Sequence, residues 1–450
     1  MKLIYGIKDK PKFGQVILFA IQQLLAIMAA TLVVPIIVGN GMSPAAALFG
    51  AGCGTLVYLA FTLGRSPVFL GSSFVFLGSM ATAFAGAATV AVGYLGLILG
   101  AIFAGLVYVI IAIIVKFCGV EWINKLMPPV VIGPTVAIIG LSLAGNTIGD
   151  LQKAPAGGDA KVAIICGLVT LAVTMLCSTF GKKTLKMIPF IIGILAGYVV
   201  AAVFTLIGNA AGIDALKVTD FSPITNLFTN FGISSIVAFP QFTFLTALGG
   251  FADIDGAYIG TILVAYAPVA FVVFAEHIAD HKNISSIIEH DLLTDPGLSR
   301  TLLGDGVGSM VGAFFGGCPN TTYGESVACV AITRNASVIT IFTAAIGAII
   351  ISFLSPFVAF VNSIPSCVMG GVCMALYGFI AVSGLKMIKN VDLEQNKNLF
   401  VVSVIFIAGI GGLSVTFGQV TLTTVACALI LGILTNLMLG KAKAEDSEEK

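Results

Sequence analysis

The sequence predicts an all-α polytopic membrane protein, and three observations carry this prediction. Hydrophobic residues make up 58% of the 450 residues, and charged residues make up 10%, against about 25% charged in soluble domains. Mean hydropathy is +1.08. The apolar residues fall into repeated runs close to the roughly 20 residues that cross a bilayer as a helix. The composition excludes a soluble protein, and a net charge of +1 gives no reason to expect a nucleic-acid partner.

The apolar runs divide the chain into fourteen predicted membrane segments. The first is longer than the roughly 7–15-residue apolar core of a cleavable signal, so we expect it to remain as a helix in the lipid bilayer. The predicted segments are 15–37, 45–63, 69–84, 92–116, 128–145, 161–179, 187–207, 257–279, 299–315, 321–333, 336–361, 366–386, 399–414 and 419–439.

The positions of the basic residues predict the orientation of these segments. With the amino terminus inside, only Lys153, Lys161 and Lys217 of the 22 Lys and Arg residues lie outside. Cytoplasmic connections are enriched in Lys and Arg, and one early segment more or fewer would destroy this split. We therefore predict a multi-pass protein of the plasma (inner) membrane, with the terminal stretches 1–14 and 441–450 in the cytoplasm. The external connection 208–256 is expected to contain a short helix on the membrane surface.

A repeated pattern indicates two inverted halves of seven segments. Segments five and twelve both open with PxxVxG, at Pro128–Gly133 and Pro365–Gly370. Because seven is odd, the second half would have the opposite orientation in the membrane. In transporters of this design the binding site lies where corresponding segments of the two halves are interrupted.

Segments three and ten are the next corresponding pair, and both are interrupted by polar residues. Segment three contains Gly71-Ser72-Ser73-Phe74, and segment ten contains PNTTYGES at 319–326. Hydroxyl and β-branched residues favour short extended strands here. Paired antiparallel strands would satisfy their backbone groups and leave some N–H groups for a ligand. The alternative is an ordinary helix whose small residues allow close packing.

Two acidic residues within apolar runs are the main candidates for a binding site. A carboxylate at membrane depth costs about 3 kcal/mol unless it is paired, hydrated or bound to a ligand. Glu276 and Glu325 meet this description, and Phe74 or Tyr323 could stack on a ring. Such a pocket suits a planar polar ligand such as a pyrimidine imide, and a buried acid offers a route for protons. The structural alternatives are a cap or an Arg334 partner for Glu325, and a Glu276 that reaches the membrane surface.

Cysteine and histidine give no sign of a metal or cofactor. None of the nine cysteines forms a CxxC pair, and most lie inside apolar runs, as small buried side chains do. His277, His281 and His290 lie close together without a complete set of metal ligands around them. We expect no cofactor and no metal site.

Several motifs in order along the chain carry a resemblance to a known family. They are LGSSFVF, MPPVVIGPT, AEHI, DLLTDPGLSRTLLGDG, FFGGCPNTTYGES, AITR, IPSCVMGGV and LYG. At these residues the chain resembles the uracil permeases of the nucleobase:cation symporter-2 (nucleobase/ascorbate transporter) family. The PNTTYGE form is similar to the uracil branch rather than to the xanthine and urate branch.

The resemblance implies a division into two domains with the ligand between them. The core domain would comprise 15–127 and 257–361, and the gate domain 128–256, which includes the external connection, and 362–440. The resemblance also implies uracil as substrate, a proton as co-substrate and, for many members, a homodimer. The resemblance implies Glu276, Glu325, Phe74 and Gly324 as substrate-binding residues, and we add Ser73 and Tyr323 as candidates at the same site.

The chain departs from the family at two positions. Well-known members have a histidine one turn after the segment-eight glutamate, where this chain has Asp280, followed by His281. Segment one commonly reads QH and here reads Gln22-Gln23. The candidates for proton coupling are therefore Glu276, Asp280 and His281, with the division of roles left open.

The predicted function is import of uracil with a proton by alternating access. The nearest alternative is the same mechanism with another nucleobase, such as xanthine. A second alternative is an anion transporter or channel of the same fold, which would need a positively charged site. An enzyme is not expected, because the sequence shows no nucleophile with a base and no metal set.

Overall fold

The computed structural model describes residues 3–119, 121–155, 157–182, 184–229, 231–417 and 420–440, and this part is mostly helical. The first half contains α1 (Phe13–Val38), α2 (Pro44–Phe61), β1 (Leu70–Ser72), α3 (Leu77–Ala85), α4 (Val90–Cys118), α5 (Glu121–Leu126), α6 (Pro129–Ser142), α7 (Ala144–Gln152), α8 (Ala160–Phe180), α9 (Thr184–Met187) and α10 (Pro189–Ala211). Then follow α11 (Ser222–Thr229), α12 (Thr243–Ala247), α13 (Gly256–Ile288), α14 (Leu298–Gly316), β2 (Asn320–Thr322), α15 (Gly324–Thr333), α16 (Val338–Ser352), α17 (Ser355–Asn362), α18 (Ser366–Met387), α19 (Asn396–Ile410), β3 (Val415–Phe417), β4 (Val420–Leu422) and α20 (Thr424–Leu439).

Many of these helices are suited to a bilayer by length and composition. In the described ranges, eight are long and apolar enough to cross a membrane: α1, α2, α4, α6 with α7, α8, α10, α13 and α18. Shorter apolar helices lie at 74–85, 324–333, 338–352, 396–410 and 424–439. Together with α14 at segment nine, these helices place an element at each predicted segment. The number that cross the membrane and the inverted repeat stay predictions.

The predicted strands in segments three and ten are confirmed. β1 and β2 pair antiparallel, with Gly71 opposite Thr321 and Ser72 opposite Asn320. Beyond the strands, the Ser73 N–H donates to the Pro319 carbonyl at 2.9 Å. The pairing satisfies the backbone inside the molecule, which irregular backbone at membrane depth requires.

Three details differ from the sequence-based prediction. Segment eleven was predicted as one run over 336–361, but α16 ends at Ser352 and α17 begins at Ser355. Pro356 explains the break, because proline lacks an N–H and its ring clashes with the carbonyl four residues earlier. Segment eight is longer than predicted and runs to Ile288. The β3–β4 hairpin was not predicted, and the predicted cytoplasmic tail 441–450 lies outside the described residues.

Local contacts fix α13 beside segment three. The Asp255 side chain caps α13 by accepting the Tyr258 N–H at 2.6 Å, as short polar residues do at helix starts. The Tyr258 hydroxyl donates to the Ala83 carbonyl at 2.6 Å. At the other end of α13, the Arg65 guanidinium bonds Asp295 and holds the pKa of that carboxyl below its usual range.

The helices pack in two groups. In the first group, α1–α4 and α13–α16, α14 packs on α2 and α4, and α16 packs on α1 and α2. In the second group, α6–α10 and α18–α20, α18 packs on α6 and α8. Glycines allow the close approach: a Cβ at Gly50 would clash with the Gly312 carbonyl, and one at Gly384 would clash with Gly133. Such small-residue contacts are typical of membrane helices.

Candidate functional site

A cavity of about 510 Å³ lies between the two helix groups. The first group contributes the carboxylates of Glu276, Asp280 and Glu325 to its wall. The second group contributes mainly apolar side chains. The other lining residues named in the sequence analysis are Ser73, Phe74, Tyr323 and Gly324. The structure thus brings together every predicted site residue except His281.

The paired strands bring two helix beginnings to this cavity. β1 leads through Ser73 into a short turn at Phe74–Phe76 and then into α3, and β2 leads through Tyr323 into α15. The first N–H groups of a helix have no acceptor within it. They also carry the positive end of the helix dipole. Phe74 and Gly324 both line the cavity, so these backbone donors can serve the carbonyl oxygens of a ligand.

The carboxylates are the acceptors of the site. Among the described residues, Glu276 Oε2 is buried without a hydrogen-bond partner. Asp280 accepts a hydrogen bond from the Thr322 hydroxyl at 2.9 Å. Asp280 and Glu325 both act electrostatically on Glu276. Neighbouring carboxylates repel each other when all are ionised, so a proton shared among them is favoured. Because Glu276 lines the cavity, a ligand there that reached this unpartnered acceptor could donate an N–H to it.

The aromatic residues differ in how they are held. The Phe74 ring meets the Tyr377 ring edge-on, with centroids 6.0 Å apart. Tyr323 is fixed by its hydroxyl, which donates to the Ser72 carbonyl at 2.7 Å. The hydroxyls of Ser73 and Thr321 are buried without partners in the described part of the chain. Phe74 therefore offers the ring contact, while Tyr323 supports β1.

The structure shows neither the Arg334 pair for Glu325 nor a Glu276 that reaches the membrane surface; Glu325 lies in the first turn of α15, so the cap alternative stays open. None of the ion pairs among the described residues joins Glu325 to Arg334. Glu276 lines the cavity rather than reaching the membrane surface. Both carboxylates remain available to a ligand.

His281 lies outside the cavity, in a buried cluster on another face of α13. Its Nε2 is 2.7 Å from the Tyr58 hydroxyl. Beside it, His277 Nδ1 lies 2.7 Å from Asp305 Oδ2. Sequence reasoning did not select Asp305, although an acid inside predicted segment nine is the same signal that selected Glu325. Its partner is 28 residues away in the chain, so the pair is visible only in three dimensions.

Most of the chain matches a known protein family. A family model described as "Permease family" matches residues 14–418. The chain belongs to this permease family. The uracil permease of Bacillus caldolyticus is 37% identical over 99% of this chain and 97% of its own length. The uracil permeases of Bacillus subtilis (strain 168) and Escherichia coli (strain K12) are each 36% identical, over 99% and 96% of this chain and 98% and 93% of their own lengths.

Two solved transporter structures have the same fold as this chain. The transmembrane domain of a cyanobacterial bicarbonate transporter, BicA, has a TM-score of 0.62 at 15% identity and covers 96% of this chain and all of its own. The murine anion transporter Slc26a9 has a TM-score of 0.64 at 12% identity, over 96% of this chain and 69% of its own. Membership of the permease family makes the chain an integral membrane transporter and not an enzyme.

Proposed function

We propose that this protein imports uracil together with a proton across the plasma membrane. The observation that carries the proposal is the cavity, which is lined by Glu276, Glu325, Phe74 and two helix beginnings. The imide edge of uracil presents carbonyl, N–H and carbonyl groups in a row. Carboxylates accept the N–H and helix N–H groups donate to the carbonyls. The relatives of similar length that are named uracil permeases support this cargo.

The proposed mechanism is alternating access between the two helix groups. The first group would act as the core domain and the second as the gate domain, each built from corresponding parts of two inverted seven-segment repeats. The cavity between the groups supports this division, since a ligand there contacts both. Lys186 and Lys386 line the same cavity, and the proposed orientation, with both termini inside, puts them on the cytoplasmic side. The homodimer implied by the family resemblance stays a prediction.

The roles of the site residues follow from their positions. Glu276 and Glu325 would bind the N–H groups of uracil, and Phe74 would stack on its ring. Ser73, Tyr323 and Gly324 would shape the site and supply backbone donors. Asp280 shares the cavity with both glutamates. Exchange of a proton among these three acids would therefore couple proton movement to uracil transport.

Uptake of labelled uracil into proteoliposomes tests the proposal. We expect an inward proton gradient to stimulate uptake by the native protein and Glu276→Gln or Glu325→Gln to abolish it. Glu394→Gln is the matched control, because Glu394 is exposed in the connection before α19. Saturable uptake that ignores the gradient would contradict proton coupling. Uptake of xanthine or of an anion instead of uracil would contradict the cargo.

A further inference from the structure

Three polar side chains form a hydrogen-bonded series in the protein interior, beside the candidate site. His277 follows Glu276 in α13 and contacts α14: its Nδ1 is 2.7 Å from Asp305 Oδ2, and its Nε2 is 3.0 Å from the Thr301 hydroxyl. The side chains of His277 and Asp305 are 0% and 1% exposed. Buried ionisable groups of this kind persist only when they are paired or functional.

The hydroxyl of Thr301 limits the protonation of this pair. Thr301 Oγ1 lies 3.0 Å from the Leu298 carbonyl and 3.0 Å from His277 Nε2. A hydroxyl has one hydrogen to donate. When Thr301 donates to Leu298, it can only accept from His277, so Nε2 carries a hydrogen. The short contact between Nδ1 and Asp305 then needs a further proton, on either partner, and the pair is neutral.

Rotation of the same hydroxyl gives a second hydrogen-bonded arrangement. When Thr301 donates to Nε2, His277 is neutral, and its only ring hydrogen lies on Nδ1 and donates to the Asp305 carboxylate. This arrangement holds one proton fewer than the first. The Leu298 carbonyl, in the first turn of α14, retains its place as a helix acceptor. Two arrangements that differ by one proton and one hydroxyl rotation are what a proton-binding site requires.

The surrounding groups connect this pair to the cavity. Asp305 acts electrostatically on Glu276 in α13, on Tyr58 in α2 and on Tyr108 in α4. Asp305 and Glu325 also act on Asp280, and His277 acts on His281. Release of the proton leaves a negative charge on Asp305, which favours protonation of Glu276. Charge at the pair and charge at the candidate site therefore depend on each other.

One unpartnered atom agrees with a pair that holds a proton. Among the described residues, Asp305 Oδ1 is buried without a hydrogen-bond partner. A buried oxygen without a donor is costly, and more so when it carries a charge. The neutral, protonated arrangement lowers this cost.

We propose that His277, Asp305 and Thr301 form a proton-binding site that takes up and releases the proton coupled to transport. The inference rests on the proposed uracil–proton import and assigns the proton a place behind the substrate cavity. On release, the proton leaves the pair for Glu276 or for water in the cavity, and Thr301 turns from Leu298 to His277.

Transport by Asp305→Asn provides the first test. The amide keeps the size and a hydrogen bond but does not gain or lose a proton in the pH range of transport. In proteoliposomes we expect loss of gradient-driven uracil accumulation, with exchange of labelled for unlabelled uracil retained. Asp253→Asn, in the exposed external connection, should retain both. Accumulation by Asp305→Asn that equals that of the native protein would overturn the proposal.

A measurement on the native protein covers the case in which Asp305→Asn fails to fold. The ring nitrogens of ¹⁵N-labelled histidine report protonation, and His281→Gln and His290→Gln assign the His277 signals. We expect the His277 Nε2 signal to change from protonated to unprotonated as the pH rises. A constant Nε2 state over the pH range in which the protein stays folded would overturn the proposal. Failure of uracil uptake by the native protein would reject the proposed function, whereas this signal would still decide the proton site.

Discussion

Phe74 is the residue whose proposed contribution to ligand binding can be tested most directly. It lies at the cavity wall, 9% exposed, between β1 and α3. Its ring edge contact with Tyr377 joins the two helix groups. Two positions later, Phe76 stacks on Tyr266 at 5.5 Å and is 1% exposed. Two phenylalanines in one short turn therefore serve different purposes, one facing the cavity and one packed inside.

We expect Phe74→Ala to weaken uracil binding by about 1–3 kcal/mol, the usual loss when a ring that stacks on a base is removed. Calorimetric titration of the purified protein measures this change. Phe76→Leu is the matched control, and it should lower thermal stability while leaving the affinity near that of the native protein. Equal losses of affinity in both variants would contradict a specific ring contact at Phe74.

Single residues also show what sequence reasoning can find at a membrane site. Glu276 and Glu325 were selected because an isolated acid in an apolar run is costly unless it has a function, and both line the cavity. Asp305 gives the same signal but lies among the glycines of LGDG, in a motif that was used only for the family resemblance. His281 was selected because it is the histidine next to Asp280, the position at which well-known family members have one, yet a helix turns by 3.6 residues. Five positions on, its side chain points away from the cavity toward Tyr58.

At the scale of elements, the interrupted segments three and ten position the site. The α15 helix has 10 residues, or about 15 Å at 1.5 Å per residue, which is half the hydrocarbon thickness. Strand and helix together therefore occupy the length of one segment, with the helix beginning in the interior. Gly71 of β1 faces Tyr323, and a Cβ there would overlap the ring. The pairing of β1 with β2 depends on the absence of that side chain.

Gly71→Ala should therefore destabilise the protein by about 1–3 kcal/mol through overpacking and weaken uracil binding by displacing Tyr323. Gly78→Ala, in α3, is the matched control because a Cβ there meets no atom within 4 Å. Thermal unfolding in detergent with and without uracil checks both effects. A Gly71→Ala variant as stable as Gly78→Ala would show that the Tyr323 ring moves aside at little cost.

The strands were predictable because hydroxyl and β-branched residues interrupt an apolar run at corresponding positions of the two halves. The break after α16 was also available in the sequence, since Pro356 cannot continue a helix. It was missed because the apolar character is continuous across it. The β3–β4 hairpin escaped prediction because its strands are 3 residues each, too short for a periodic pattern.

At the scale of the whole molecule, the residues that line the cavity indicate which side of the membrane it faces. Carboxylates lie in its interior, and it is also lined by Ser383, Lys386 and Lys186, toward the end of α18 and in α9. On the orientation predicted from Lys and Arg, this is the cytoplasmic side. Composition and charge asymmetry could predict that orientation, because lipid solvation constrains them. They could not predict which side the cavity faces, since the proposed alternating access requires one sequence to support both inward- and outward-facing arrangements.

Ser383 allows this direction to be measured, because it is exposed and lines the cavity in the second helix group. In a background whose native cysteines are replaced by serine, we expect an impermeant thiol reagent to label Ser383→Cys in inside-out vesicles and uracil to slow the labelling. Thr225→Cys, exposed in α11, should react in right-side-out vesicles instead and ignore uracil. Labelling of Ser383→Cys only from the outside would reverse the predicted orientation. A ligand held between the acids and the second group must restrict access of the reagent to α18. Labelling that uracil does not slow would therefore place the substrate elsewhere.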